Sequence, residues 1–272
     1  MNQQDMTVHE HIGEIRKRLI IVVVFFVISM VGGFFLAEPL MKFLQSSDEA
    51  ASMTLNAFRV TDPVKIYFQI IMFTALIMTA PVILYQLWAF VSPGLHDRER
   101  KVTLSYIPAS VILFLSGLAF AYFILFPFVV RFMMNLSNNL EIEQVIGINE
   151  FFQFLFQMTI PFGFLFQLPV IMLFVTRLGI VTPMFLASIR KYAYFGLLVV
   201  AAFVTPPDIF SHMIVTVPLI LLYEISLWIA KIGYNKAQKA EAEQRELEEQ
   251  ERRERIDREL AKKEELKENS GE

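Results

Sequence analysis

The run Leu19–Leu36 constrains this chain more than any other stretch. It holds eighteen residues without a charge, about 27 Å as an α-helix, which is enough to cross the hydrocarbon core of a bilayer. Similar apolar stretches recur as far as Ala230, separated by short polar segments. At 55% hydrophobic residues and a mean hydropathy of +0.51 the chain is too apolar for a soluble domain. Roughly half of its charged residues lie beyond Ala230. The expected fold is therefore an all-α polytopic membrane protein. The net charge of −3 carries little information, because in such a protein the placement of Lys and Arg matters and the sum does not. With no cysteine, disulfides, thiolate catalysis and Cys-based metal sites are excluded.

Residues 1–18 form a polar segment with Val8, Ile12, Ile15 and Leu19 on one helical stripe and Glu10, Glu14, Lys17 and Arg18 around it. This predicts an amphipathic lead-in at the interface. The first span, Leu19–Leu36, has no A-x-A cleavage site after it and reads as a retained helix rather than a signal peptide. Ala37–Pro63 reads as an outer loop with an amphipathic piece, Pro39–Leu44. Thr61-Asp62-Pro63 then supplies a helix start, with a capping oxygen followed by proline. The second span is expected over Ile66–Val91, kinked at Pro81, and leaves the membrane through aromatics, Ser92-Pro93-Gly94 and a run of charges. The third is expected over Leu104–Phe126 with an exit at Pro127. A second outer loop, Phe128–Glu150, should hold a short amphipathic helix. The fourth span covers Phe151–Val175, with Pro161, Gly163 and Pro169 inside it, and Thr182-Pro183 is another helix start. Tyr192–Val204 has only thirteen apolar residues, about 20 Å, and Ile209–Ala230 follows after a Thr-Pro-Pro-Asp turn. The prediction is six transmembrane helices over 19–230, the last two short and thinning the bilayer locally. Residues 231–272 should form a charged tail, either an exposed helix held by i,i+4 pairs or a disordered segment.

The cations set the orientation. Arg16, Lys17, Arg18, Arg98, Arg100, Lys101, Arg177, Arg190, Lys191, Lys231, Lys236 and Lys239 share one side; only Lys42, Arg59, Lys65 and Arg131 fall on the other. Positive-inside then puts both termini in the cytoplasm. Phosphate-loop, zinc-protease and nucleophile-elbow motifs are absent from the sequence, so no catalytic residue, metal or cofactor is expected. Nor is a nucleic acid among the expected partners. Energy for any transport must come from an ion gradient or from partners.

The polar residues worth weighing are few. Glu14 lies one turn before the first span and Glu99 in the charged loop after the second, so both fall on the cytoplasmic side. Glu14 can equally form an ordinary i,i+4 pair with Arg18, and Glu99 can be a solvated surface charge. Gln167 and Glu224 lie within spans. Because a charge at mid-bilayer costs about 2.5–3.5 kcal/mol on insertion scales, such groups face a cavity or a partner; Glu224 is also close enough to Lys231 to reach the interface.

HIGEIRKRL at 11–19, APVILYQLWAFVSPGL at 80–95, RERK at 98–101, FAYFILFP at 120–127, PFGFLFQLP at 161–169, LGIVTP at 178–183, RKYAY at 190–194 and TPPD at 205–208 together carry a strong resemblance over about residues 8–232. The chain resembles the TatC family, the core subunit of the twin-arginine protein translocase, and most of all the versions from minimal Gram-positive-type systems. The resemblance implies a multi-pass protein of the bacterial cell membrane that binds the twin-arginine signal peptides of folded cargo at its cytoplasmic face. It also implies TatA-type single-span partners, self-association within the complex, and the proton-motive force as the energy source. Carried over residue by residue, the signal-binding glutamates fall on Glu14 and Glu99, with Phe90 beside the second and with Arg16 and Arg100 in supporting roles. A carboxylate can accept a guanidinium through two parallel hydrogen bonds, a geometry that lysine cannot reproduce. Where the family often has Glu in the fourth span this chain has Gln167, which leaves a polar partner contact there and no titratable group. Two other readings of the bare sequence are a small-solute secondary transporter and a passive scaffold. The transporter would need convergent polar residues at the midplane and usually an internal repeat; the scaffold would tolerate loss of Glu14 and Glu99.

Overall fold

In a computed structural model the described residues are 8–47, 50, 53, 55–91, 104, 106–142, 145–205 and 209–270. Their elements run α1 (Val8–Gln45), β1 (Leu55–Asn56), α2 (Asp62–Val91), α3 (Tyr106–Phe120), a π-helical turn (Ala121–Leu125), α4 (Phe126–Asn139), β2 (Ile146–Gly147), α5 (Ile148–Leu165), α6 (Leu168–Arg177), α7 (Pro183–Ser188), α8 (Arg190–Val204) and α9 (Ile209–Ser270). Five stretches among them are long and apolar enough to cross a membrane: Ile12–Gln45, Asp62–Phe90, Tyr106–Asn139, Ile148–Arg177 and Ile209–Lys239. The sixth apolar helix, α8, has 15 residues, about 22 Å, and is short as the sequence predicts.

α1 and α2 form an antiparallel pair. Gly33 lies so close to α2 that a Cβ would sit 2.9 Å from the Ile71 carbonyl oxygen. One residue on, the Tyr67 hydroxyl donates to the Phe34 carbonyl at 3.1 Å. A second close approach joins α3 to α5. There a Cβ on Gly117 would meet the Phe162 carbonyl oxygen at 2.5 Å, and one on Gly163 would meet the Phe114 and Leu118 side chains within 2.9 Å. Small residues let two backbones approach where lipid, as apolar as the side chains, gives helices no hydrophobic reason to associate. The core between these pairs is aromatic and aliphatic, with Phe126, Phe152, Phe162, Ile66, Ile70 and Met158 fully buried.

Several boundaries differ from expectation, most of them by lengthening a helix. α1 does not stop at Leu36. It continues through Pro39 to Gln45, with Lys42 paired to Glu38 at 2.7 Å, and ends where Ser46 and Ser47 hydroxyls donate to the Phe43 and Leu44 carbonyls. The third span does not leave at Pro127. A π turn precedes the proline, the Phe126 N–H reaches back five residues to Ala121, and helix resumes to Asn139. Proline removes one N–H and crowds one carbonyl, and a locally wider turn absorbs both without unwinding the chain. What was expected as a largely looped segment over 128–150 is therefore mostly helix. The connections that remain are pinned by a two-residue parallel ladder, Leu55 opposite Ile146 and Asn56 opposite Gly147.

The fourth span, expected as one helix over Phe151–Val175, breaks between Pro161 and Pro169: α5 ends at Leu165 and α6 begins at Leu168. The start of α2 uses Asp62 in a way that the sequence reading did not specify. Its buried carboxylate accepts the backbone N–H groups of Phe58 (3.1 Å) and Arg59 (2.8 Å), folding the preceding loop onto the helix. At α7 the Thr182 hydroxyl accepts the Phe185 N–H at 3.2 Å, the expected cap. The last helix is not short. α9 runs unbroken for 62 residues, because no proline or positive-φ residue interrupts it after Ala230 and pairs such as Glu254–Arg258 carry it on as exposed helix.

The α3–α5 contact generates a direct test. Gly117→Ala should destabilise the protein by about 1–3 kcal/mol, read as a lower thermal midpoint in detergent. Gly196→Ala, where a Cβ meets nothing within 4 Å, should leave that midpoint unchanged or slightly raised.

Candidate functional site

The α1–α2 pair brings a side chain of α2 against two side chains one turn apart on α1. Near the start of α1 the Arg18 guanidinium forms an ion pair with the Glu14 carboxylate, donating from both Nε and Nη2 to Oε1. Its remaining arm donates from Nη1 to the Gln86 Oε1 of α2 at 3.2 Å. Glu14 and Arg18 are each only about a fifth exposed, 19% and 22%. The helix dictates the first contact, since residues four apart lie on one face. The antiparallel register dictates the second, since it sets the last turns of α2 beside the first turns of α1. Beyond Gln86, Tyr85 and Trp88 pack with ring centroids 5.8 Å apart, and Phe90 is half-buried. Arg16 and Lys17 point outward and are exposed. Glu99 and Arg100 lie outside the described residues.

Gln167 and Glu224 belong elsewhere. Gln167 is buried in the break between α5 and α6, where its Nε2 donates to the Ser110 carbonyl of α3 at 3.0 Å. Its amide thus ties the broken span to the third one. Glu224 of α9 pairs with Arg190 at the start of α8 (Nε–Oε1 2.9 Å; Nη2–Oε2 3.0 Å) and accepts the Tyr194 hydroxyl. Beside it the Tyr223 hydroxyl donates to the Leu186 carbonyl of α7 at 2.9 Å. The Glu224 carboxylate ties α9 to α8, and Tyr223 ties α9 to α7; the carboxylate is close enough to the surface to remain about a third exposed.

The sequence reading missed Gln86 and the pairing of Glu224 with Arg190 and Tyr194. Gln86 does carry a signal, as the one amide in the apolar run Pro81–Val91. The Arg190–Glu224 pair had none, because it joins residues 34 apart on two different helices. Arg177 at the end of α6 stacks over the Tyr106 ring at 5.5 Å, a further contact that spacing does not reveal. Among the described residues no group of His, Cys, Asp or Glu is placed to hold a metal ion. A cleft of about 830 Å³ lies at the opposite end of α1 from Glu14, walled by Phe43, Tyr122, Phe128 and Arg131 among others.

Comparison with known proteins converges on one family. A family model described as Sec-independent protein translocase protein (TatC) matches residues 10–218. The chain is 62% identical over 242 residues to the Sec-independent protein translocase protein TatCy of Bacillus subtilis (strain 168), covering 89% of this chain and 95% of that protein. It is 58% identical over 241 residues to the TatC of Halalkalibacterium halodurans, with the same shares covered. A crystal structure of the twin arginine translocase receptor TatC superposes with a TM-score of 0.74 at 30% identity, covering 82% of this chain and 99% of that one.

The geometry separates side chains that hold the fold from those that decorate it. Gln167→Leu should lower stability by about 1–3 kcal/mol, because the buried Ser110 carbonyl loses its side-chain donor. Glu38→Ala, which breaks an exposed pair, should leave the thermal midpoint where it was.

Proposed function

The chain belongs to the TatC family of Sec-independent protein translocases, and we propose that it reads twin-arginine signal peptides with a carboxylate clamp of which Glu14 is one jaw. As a TatC it is a multi-pass protein of the bacterial cell membrane and a core component of the twin-arginine translocase, not an enzyme. The observation that carries the proposal is the state of Glu14. Its carboxylate lies four-fifths buried at the α1–α2 corner and already accepts a guanidinium, that of Arg18. A group so placed binds an incoming arginine by the same charge-assisted hydrogen bonds. Burial makes those bonds stronger than they would be in water, because the local dielectric is lower.

In this reading the second jaw is Glu99, with Phe90 at the end of α2 and the cations Arg16 and Arg100 in supporting roles. Positive-inside supports a topology with both termini in the cytoplasm, so that the clamp meets the cargo before translocation. In this reading TatA-type single-span subunits join the complex, the chain associates with further copies of itself, and the proton-motive force drives passage of folded cargo. Gln167 and Glu224 remain candidates for partner contact, although both already have partners within the chain. The 15-residue α8 supports local thinning of the bilayer as the means by which passage is eased.

The test is binding of a synthetic twin-arginine signal peptide and its Lys-Lys counterpart to the wild type, Glu14→Ala and Glu99→Ala. Each variant should lose about 10-fold or more in affinity for the Arg-Arg peptide and most of its preference over Lys-Lys, as expected for loss of a charge-assisted pair. An undiminished preference in both variants would sink the clamp.

A further inference from the structure

The ion pair at the α1–α2 corner presents a competitor for the ligand the site is read to bind. Arg18 offers Glu14 the same chemical group, a guanidinium, that a cargo arginine would bring. It is also not held by Glu14 alone. While Nε and Nη2 engage Glu14, Nη1 reaches across to Gln86, so one planar fork joins two helices. Both partners of the ion pair are about four-fifths withdrawn from solvent, which screens the pair less than an exposed one. We infer that Arg18 and Gln86 are positioning residues that set the affinity of the signal site: Arg18 occupies Glu14 as an internal surrogate for cargo arginine, and Gln86 keeps it there.

This inference rests on the reading of Glu14 as a jaw of the clamp. In the resting protein Arg18 serves the buried carboxylate as counter-ion, and its release without a replacement is costly, so the open state is a minor one. Binding is then an exchange, in which the cargo guanidinium takes the Glu14 oxygens and Arg18 is released. The apparent affinity is lower than the intrinsic one by the fraction of molecules in which Glu14 is open. That fraction is a property of the free protein, so it lowers the affinity of every ligand by one common factor. The site stays selective while binding weakly enough to let its cargo go.

Two variants act on the surrogate by different means. Arg18→Gln removes the competing guanidinium; Gln86→Ala removes one hydrogen bond and no charge. Measured on the full chain in lipid nanodiscs with fluorescent Arg-Arg and Lys-Lys signal peptides, Arg18→Gln should bind both about 3- to 10-fold more tightly, with their ratio unchanged. Gln86→Ala should give a smaller rise of about 2-fold or more, which a simple change in site charge would not produce. Weaker or unchanged binding in either variant, at the wild-type thermal midpoint, would overturn the inference. Should Arg18→Gln fail to fold, Gln86→Ala decides alone. Glu14→Gln separates this inference from the reading beneath it. If that variant binds the Arg-Arg peptide like the wild type, the clamp itself is wrong. If it loses binding while Arg18→Gln and Gln86→Ala gain nothing, the clamp stands and only the surrogate falls.

Discussion

A bilayer interior has no water to satisfy a backbone N–H or C=O, and this single constraint orders most of what the chain does. Every residue crossing the hydrocarbon must find its hydrogen bonds within its own helix or in a neighbour. That is why the chain extends its helices past prolines instead of unwinding at them. Pro39, Pro81 and Pro218 sit inside α1, α2 and α9. Pro127 is preceded by a π turn that keeps the ladder closed. Where a helix does break, at Phe166-Gln167, the broken segment is tied by a side-chain amide to the third span. Several buried hydroxyls likewise donate to carbonyls of their own helix, Thr79 to Ala75 and Thr176 to Met172 among them.

The same constraint decides how helices meet. With no hydrophobic gain available from packing apolar surface that lipid would cover equally well, close backbone contact must supply the attraction. Gly33 against Ile71, and Gly117 with Gly163 between α3 and α5, are the places where the chain gives up side chains to obtain it. The first of these contacts also fixes the register of α1 on α2. That register carries Arg18 to Gln86 and so builds the site: a packing decision made in mid-membrane sets the geometry of a polar cluster several turns away.

Much of this was legible in the residues. The apolar runs located the spans, the brevity of α8 was countable, and Thr182-Pro183 announced the cap that the structure shows. Helix ends were not legible, because proline reads as a stop in water while a membrane helix has strong reason to continue. The extension of α9 was hidden for a different cause: a run of Glu, Arg and Lys can be disordered or helical, and only its alignment at i,i+4 favours the helix. At the site, spacing alone gave the Glu14–Arg18 pair, which looked like the dull alternative to a binding role. The structure makes the two compatible, since a largely buried carboxylate that holds one guanidinium is suited to hold another. Gln86 stands out as the one amide in its apolar run, but its partner could not be read from sequence, because that depends on the register of two helices.

The proposed clamp requires that Glu14 meet a cargo arginine directly. A double-mutant cycle tests this most directly, pairing Glu14→Gln in the chain with replacement of a single signal-peptide arginine by lysine, and measuring the four binding constants. A direct contact predicts non-additive losses with a coupling of about 1 kcal/mol or more for one of the two peptide arginines. Additive losses for both arginines would place Glu14 away from the guanidinium and contradict the clamp.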